Sequence, residues 1–306
     1  MLGPVLFNCI MAQLPSLLKE IGIDSHIYAD DTQFWISFRP EDEAIARRRV
    51  QRAFKVVGSF MMDNSLKLNA AKTQFLPISR YDVDFASLTI SGDVMIEPSN
   101  QVRNLGVIFD RKLNFRSHAG QVRKAGFFHL RRLKCLGRII PSHCLETLIH
   151  AYVSSRIDFC NILLHDHTDQ LQTLFQSVHN ACAKSITGAR RYDSAKEQLV
   201  ILHWLPVKQR CAYKALLFCH RIAHRDPFVP SYFSSVRVKQ CVRSTRQSGT
   251  LLESSYRPNL ITVGYRSFEA YAPSLWSALP KVLRCIDNIG TFNKHLKTHL
   301  FEKHFL

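Results

Sequence analysis

Two aspartates stand side by side at Asp30 and Asp31, inside "HIYADDTQFWIS", His26 to Ser37. Two carboxylates about 4 Å apart repel by roughly 1 kcal/mol in bulk water and by about 4 kcal/mol at an effective dielectric near 20. A solvated hairpin tip tolerates that cost, and an Asp-Asp pair on such a tip needs no further explanation. Here apolar and aromatic residues flank the pair on both sides: Ile27, Tyr28 and Ala29 before it, Phe34, Trp35 and Ile36 after it. Strands of that composition hold the tip rigidly beside a core. A rigid carboxylate pair presents hard oxygen ligands, which suit magnesium. Two such ions about 4 Å apart can activate a hydroxyl and steady a leaving pyrophosphate.

The elements that must position this pair are legible in the pattern. Residues 5–21 read as a helix interrupted at Pro15. Residues 25–29 and 33–38 read as two strands joined through Asp30-Asp31-Thr32, a β-hairpin. A long amphipathic helix follows through the forties and fifties, with Ala44, Val50, Ala53, Phe54, Val57 and Phe60 recurring at three and four. Glu41, Asp42 and Glu43 suit the positive end of its dipole. Residues 66–78 read as a turn into a strand, "SLTISGDVMIEPS" as a hairpin turning at Gly92-Asp93, and Val102 to Asp110 as a further strand.

After Phe115 strand signals fade and helices follow one another. They are expected over 117–136, with Val122, Ala125, Phe128 and Leu133 on the apolar side, and over 142–154, with Ser142 as N-cap. Two more are expected over 168–187, stopped by Gly188, and over 206–224, opened by Pro206. Residues 226–265 are rich in Ser, Arg, Pro and Gly and read as linker. Apolar pattern returns in the tail. The fold class is α+β, with a mixed front third followed by helices.

Charge divides along the same line. Residues 1–110 hold 11 Lys/Arg and 13 Asp/Glu; residues 111–306 hold 30 and 11. From Arg111 to Ile140 there are nine basic residues and no acidic one. A near-neutral front joined to so basic a back points to a polyanionic partner, most simply nucleic acid. The candidate contacts are Arg123, Lys124, Arg131, Arg132, Lys134 and Arg138; a solvated helix face would show the same residues.

The nine cysteines include no C-x-x-C pair, which argues for a reducing, intracellular compartment and against a disulfide-linked partner. Cys211, Cys219, His220 and His224 come nearest to a metal cluster, but their spacing fits no zinc pattern. No run of about 18 uninterrupted apolar residues is present, so no membrane partner is expected. The apolar opening lacks the basic start of a signal peptide.

The motifs taken together resemble a known family. "YADD", Tyr28 to Asp31, resembles the catalytic hairpin of reverse transcriptases. "LGPVLFN", Leu2 to Asn8, is similar to the segment that lies under template and incoming nucleotide in that family, and would bring Gly3 and Pro4 to the nucleic acid. "LKLNAAKTQFL", Leu66 to Leu76, is similar to the motif that sets a lysine, here Lys72, near the nucleotide phosphates. "VRNLGVIFD" resembles the primer-grip hairpin, with Leu105 and Gly106 supporting the primer. All four occur in the family's order.

Farther on, "RKAGFFHLRRL", "AYVSSRIDFCNILL", "VHNACAKSITGARRYD", "LHWLPVKQRCAYKALLFCHRIAH" and "APSLWSALPKVLR" resemble polymerases of LINE-type retrotransposons, which lack long terminal repeats. The resemblance implies a partial palm at 1–110, a basic helical thumb at 111–225, and a linker with C-terminal segment at 226–306. It implies RNA-directed DNA polymerase chemistry with Asp30 and Asp31 as metal ligands and catalytic groups. Lys72 would be a further catalytic residue and Tyr28 a packing residue at the nucleotide or primer. The implied partners are an RNA template, a DNA primer and deoxynucleotides, and the implied cofactor is Mg2+.

The family's first catalytic aspartate and fingers have no counterpart in this sequence. A chain truncated in this way is expected to bind Mg2+ weakly or not at all and to polymerise poorly alone. A nucleic-acid-binding remnant without chemistry, or a product without a stable fold, are the alternatives. The compartment expected is nucleus or cytoplasm.

Overall fold

The computed structural model describes residues 2–79, 81, 85–91, 94–137, 139–165, 169–239, 251–256 and 264–306. It is an α+β protein with two compact units, Met1–Asn104 with Phe109–Lys112, and Leu105–Ile108 with Leu113–Leu306.

The first unit opens with helices α1 (Gly3–Met11) and α2 (Leu14–Glu20). Pro15 falls in the first turn of α2, where its missing N–H goes unmissed. The hairpin β1 (Asp24–Tyr28) and β2 (Asp31–Trp35) follows, then helix α3 (Glu43–Asp63). Short pairs β3 (Leu88–Ser91) with β4 (Val94–Ile96), and β5 (Gln101–Asn104) with β6 (Val107–Asp110), complete the strands of the front. Ala53, Phe54, Val57 and Phe60 of α3 are buried, as their spacing predicts, whereas Ala44 is exposed and Ala46 takes the inward position.

One apolar cluster joins Met11, Leu14 and Leu18 to Ala53, Val57 and Phe60 and receives Ile27 and Phe34 from the hairpin. A smaller cluster of Phe54, Ile90 and Ile96 receives Phe34, Leu68, Ala70 and Phe75. Phe34 belongs to both, so β2 is held by two cores at once. Its ring meets that of Phe54 edge-on at 5.0 Å. Arg47 anchors α3 to the following loop by donating to the carbonyls of Ala86 (3.1 Å) and Ser87 (2.6 Å).

Two expectations for this unit are revised. Residues 66–78 hold no regular strand: Asn69 caps a 3-10 turn over Ala70–Lys72, and a single bridge pairs Phe75 with Pro98. Val102 to Asp110 is not one strand but two, turning at Leu105-Gly106. Both turn residues have positive φ, +44° and +86°, the pattern of a type I′ turn. Gly92 and Asp93, expected at the tip of the β3–β4 hairpin, lie outside the described residues.

The second unit is mainly helical: α4 (Arg116–Leu136), α5 (Ser142–Ile149), α6 (Ser155–Asp158), α7 (Asp169–Thr187), α8 (Ala195–Ile201) and α9 (Val207–Ala223). Pro141, not Ser142, holds the cap position of α5. The helix expected to run to 154 widens into a π turn over His150–Ser154. Helix α8 is capped by Ser194, whose side chain accepts the Glu197 N–H, and it adds a helix to those the spacing predicts.

Helices α4 and α7 meet at Gly126, where a Cβ would stand 2.7 Å from Val178. Trp204 is buried against α5 and α7. It lies between the rings of His150 (4.9 Å) and His179 (5.0 Å), and its indole N–H donates to Glu146 (3.1 Å). Arg210 clasps Asp158 with both arms of its guanidinium.

Within the stretch read as linker, β7 (Val236–Val238) pairs with β8 (Leu252–Ser254), and Val236 and Leu252 are buried. They join a core with Leu216, Cys219 and residues of α10 (Phe268–Ser277), α11 (Lys281–Arg284) and α12 (Ile289–Phe305), centred on Trp276 and Phe292. No described helix is long and apolar enough to cross a membrane.

Candidate active site and nucleic-acid interface

The hairpin register decides where the carboxylates stand. Tyr28 pairs with Asp31, leaving Ala29 and Asp30 as a two-residue turn. Ala29 alone of these has positive φ, +53°, which fits the first central position of a type II′ turn. The expected turn of Asp30-Asp31-Thr32 is therefore displaced by one residue. Asp30 is the turn and Asp31 opens β2.

Strand alternation then sorts the side chains. Ile27 and Phe34 face the core. Asp24, His26, Tyr28, Asp31, Gln33 and Trp35 share the opposite face. On it Tyr28 is 63% exposed and Trp35 49%. Asp30 and Asp31 are both exposed. Among the described residues neither carboxylate accepts a hydrogen bond or meets a cation within ion-pair distance, so both keep their oxygens for an external ligand.

The hairpin is a two-stranded sheet by itself. Its exposed face is tied to β5 through Gln33, whose amide donates to the Asn104 side chain at 2.7 Å. Nothing in the spacing announces that contact, because a Gln-Asn pair 71 residues apart has no local signature.

Lys72 ends the 3-10 turn that Asn69 caps; the Asn69 side chain accepts its backbone N–H at 3.2 Å. Its ammonium is exposed. Leu68 and Ala70, just before it, pack into the same small cluster as Phe34. The Lys72 turn and the acidic hairpin are thus built on one core. Gly3 and Pro4 start α1 and are exposed, as are Leu2, Val5 and Leu6 beside them. Leu105 is 39% exposed at its turn, and Gly106 lies where a Cβ would press to 3.2 Å on the Phe159 ring.

In the second unit Arg123, Lys124, Arg131, Arg132 and Lys134 are exposed along α4. Arg138 lies outside the described residues. The buried side of α4 is formed by His118, Ala119, Gly126, Leu130 and Leu133. Phe128, expected on the apolar side, stands 53% exposed among the cations instead. Hydrophobicity alone cannot tell a core ring from an exposed one, and the line through Gly126 and Leu130 is what turns Phe128 outward.

Cys211, Cys219, His220 and His224 do not converge as a group among the described residues. His220 Nε2 meets the Ile286 carbonyl at 2.7 Å and His224 meets Asp287 at 3.4 Å. Burial pushes the Cys211 thiol up to about 12. Among the described residues no group of three His, Cys, Asp or Glu is placed to hold a metal.

Magnesium commonly takes one or two carboxylates and completes its shell with water and substrate phosphates. The pair at the β1–β2 tip supplies that donor set. No curated protein and no solved structure matches the chain. The acidic hairpin, the Lys72 turn and the Leu105-Gly106 turn all lie in residues 1–109, the stretch that matches the family model of reverse transcriptase (RNA-dependent DNA polymerase).

Proposed function

We propose that the chain works in RNA-directed DNA synthesis, as the reverse transcriptase of a LINE-type retrotransposon without long terminal repeats. The observation that carries the reading is the exposed pair Asp30 and Asp31, unpaired among the described residues, on a hairpin packed against two apolar clusters within the stretch that matches the family.

In this reading Asp30 and Asp31 hold Mg2+, which supplies charge stabilisation at the reacting phosphate. With two protein carboxylates the site is weak until a nucleotide's phosphates share it. Tyr28, next to Asp31 on the exposed face, packs under nucleotide or primer. Lys72 lies near the phosphates of the incoming deoxynucleotide. Gly3 and Pro4 line the template side, and Leu105 with Gly106 supports the primer end. In this reading residues 1–110 serve as palm and 111–225 as thumb. Arg123, Lys124, Arg131, Arg132 and Lys134 hold phosphates of the template–primer duplex. The LINE-type assignment rests on the sequence motifs after residue 120.

The experiment is primer extension on an RNA template with Mg2+, wild type beside Asp30→Ala and Asp31→Ala. Weak incorporation by the wild type, lost in both variants while duplex binding persists, supports this reading. The excess of positive charge behind residue 110 favours a second reading, a nucleic-acid-binding module without chemistry. Salt-sensitive duplex binding without incorporation, the same in all three chains, selects it.

A further inference from the structure

The α4 surface carries more than charge. Phe128 lies between Lys124, Arg131 and Arg132, its neighbours at four before, three after and four after on the helix. The Arg132 guanidinium sits 5.6 Å from the centre of the Phe128 ring. His129 meets Phe128 edge-on at 5.4 Å and stacks on Tyr152 at 5.8 Å. Tyr152 is 49% exposed and projects from the π turn His150–Ser154, an irregularity of the kind that clusters at functional sites. Arg156 donates to the Tyr152 backbone carbonyl at 3.2 Å, and its charge reaches the neighbouring His129. Helix α4 contains no acidic residue.

An exposed aromatic row among cations has one evident use. A base pair inside a duplex hides both faces of each base against its neighbours, so these rings gain nothing from a duplex. An unpaired strand offers the faces of its bases to the rings and its phosphates to the cations, the combination that single-strand binders use.

We propose that Phe128 and Tyr152 form a stacking platform for unpaired RNA, flanked by Lys124, Arg131, Arg132 and Arg156. The choice of RNA rests on the reading above, in which the template is RNA. A protein partner that covered the rings would also have to neutralise the cations around them.

The test is fluorescence anisotropy of the full chain with a labelled oligouridylate and, separately, with an RNA–DNA duplex of equal length. Replacing an exposed ring leaves the core intact, which an unchanged melting temperature verifies. Phe128→Leu is expected to weaken oligouridylate binding by about 5- to 150-fold, the effect of removing one stacked base. Its slope of log K against log salt stays at the wild-type value, and its duplex affinity is unchanged. Tyr152→Ser gives the same pattern. Arg132→Gln instead makes the slope shallower by about 0.7, one phosphate contact on a single strand.

The proposal is overturned if Phe128→Leu and Tyr152→Ser bind oligouridylate like the wild type. It is equally overturned if they weaken the duplex as much, or if oligothymidylate binds and oligouridylate does not. Duplex binding without oligouridylate binding sinks the platform and leaves the proposed function standing. A chain that binds neither sinks both.

Discussion

Lowering the pH from about 7 to about 4.5 destabilises the helical unit, and His179 carries a separable share of that loss. The ring is 1% exposed, stacked on Trp204, with Nε2 at 3.1 Å from the Leu205 carbonyl. Burial, reinforced by the Arg210 charge and only partly offset by Asp158 and the Leu205 carbonyl, lowers its pKa from 6.5 to about 3. His150, across Trp204, is the smallest contribution to that lowering. The folded value lies below the unfolded one, so the unfolded chain takes up the proton first as pH falls. The contribution to stability is full above pH 6.5 and is lost as pH falls from there toward about 3. At about pH 4.5 the loss amounts to roughly 3 kcal/mol, near 1.4 kcal/mol for each pH unit.

Urea unfolding followed by tryptophan fluorescence at the two pH values measures it. His179→Gln keeps a donor for Leu205 but does not titrate. Its loss of stability between the two pH values should be smaller than the wild type's by that amount. Equal losses in the two chains would refute the assignment.

The contact of α4 with α7 and a strained turn give two further predictions. Gly126→Ala sets a methyl 2.7 Å from Val178 Cγ1, beside the fully buried Val153. Alanine's helix preference returns about 1 kcal/mol against an overpacking cost of about 1–3 kcal/mol. The melting temperature should fall, and a companion Val178→Ala should recover part of the loss; a rise on the single substitution contradicts the close packing. Leu105→Asn relieves a leucine held at φ +44° and should stabilise the chain by about 1 kcal/mol while weakening primer binding. A melt and a primer-binding assay on the same sample check both directions.

The sequence exposed what periodicity and punctuation carry. The inward face of α3, the break at Pro15 and the end of α7 at Gly188 are all readable from spacing. The acidic hairpin is readable too, but the position of its turn is not. That depends on Ala29 adopting positive φ, which an alanine does not advertise. Asn69 looks like any loop residue, yet its capping of a 3-10 turn replaces the strand expected there. Val236 and Leu252 lie in strands of three residues, too short for alternation to show, and their burial depends on α10 and α12 far along the chain. Phe128 fits an apolar stripe by spacing; only the close approach at Gly126 shows which face of α4 is covered. The Gln33-Asn104 contact and the Trp204 network join distant residues, so no local pattern announces them.

The central claim, that the β1–β2 tip holds the divalent ion, can be tested without polymerase activity. Fe2+ is exchanged for Mg2+ on the chain bound to primer, template and deoxynucleotide. Ascorbate and peroxide then cut the backbone wherever the ion sits, and the fragments are mapped. Cuts clustered around Tyr28 to Gln33, suppressed by excess Mg2+ and absent from Asp30→Asn/Asp31→Asn, are the predicted result. Cuts elsewhere, or a pattern indifferent to those two carboxylates, would contradict it.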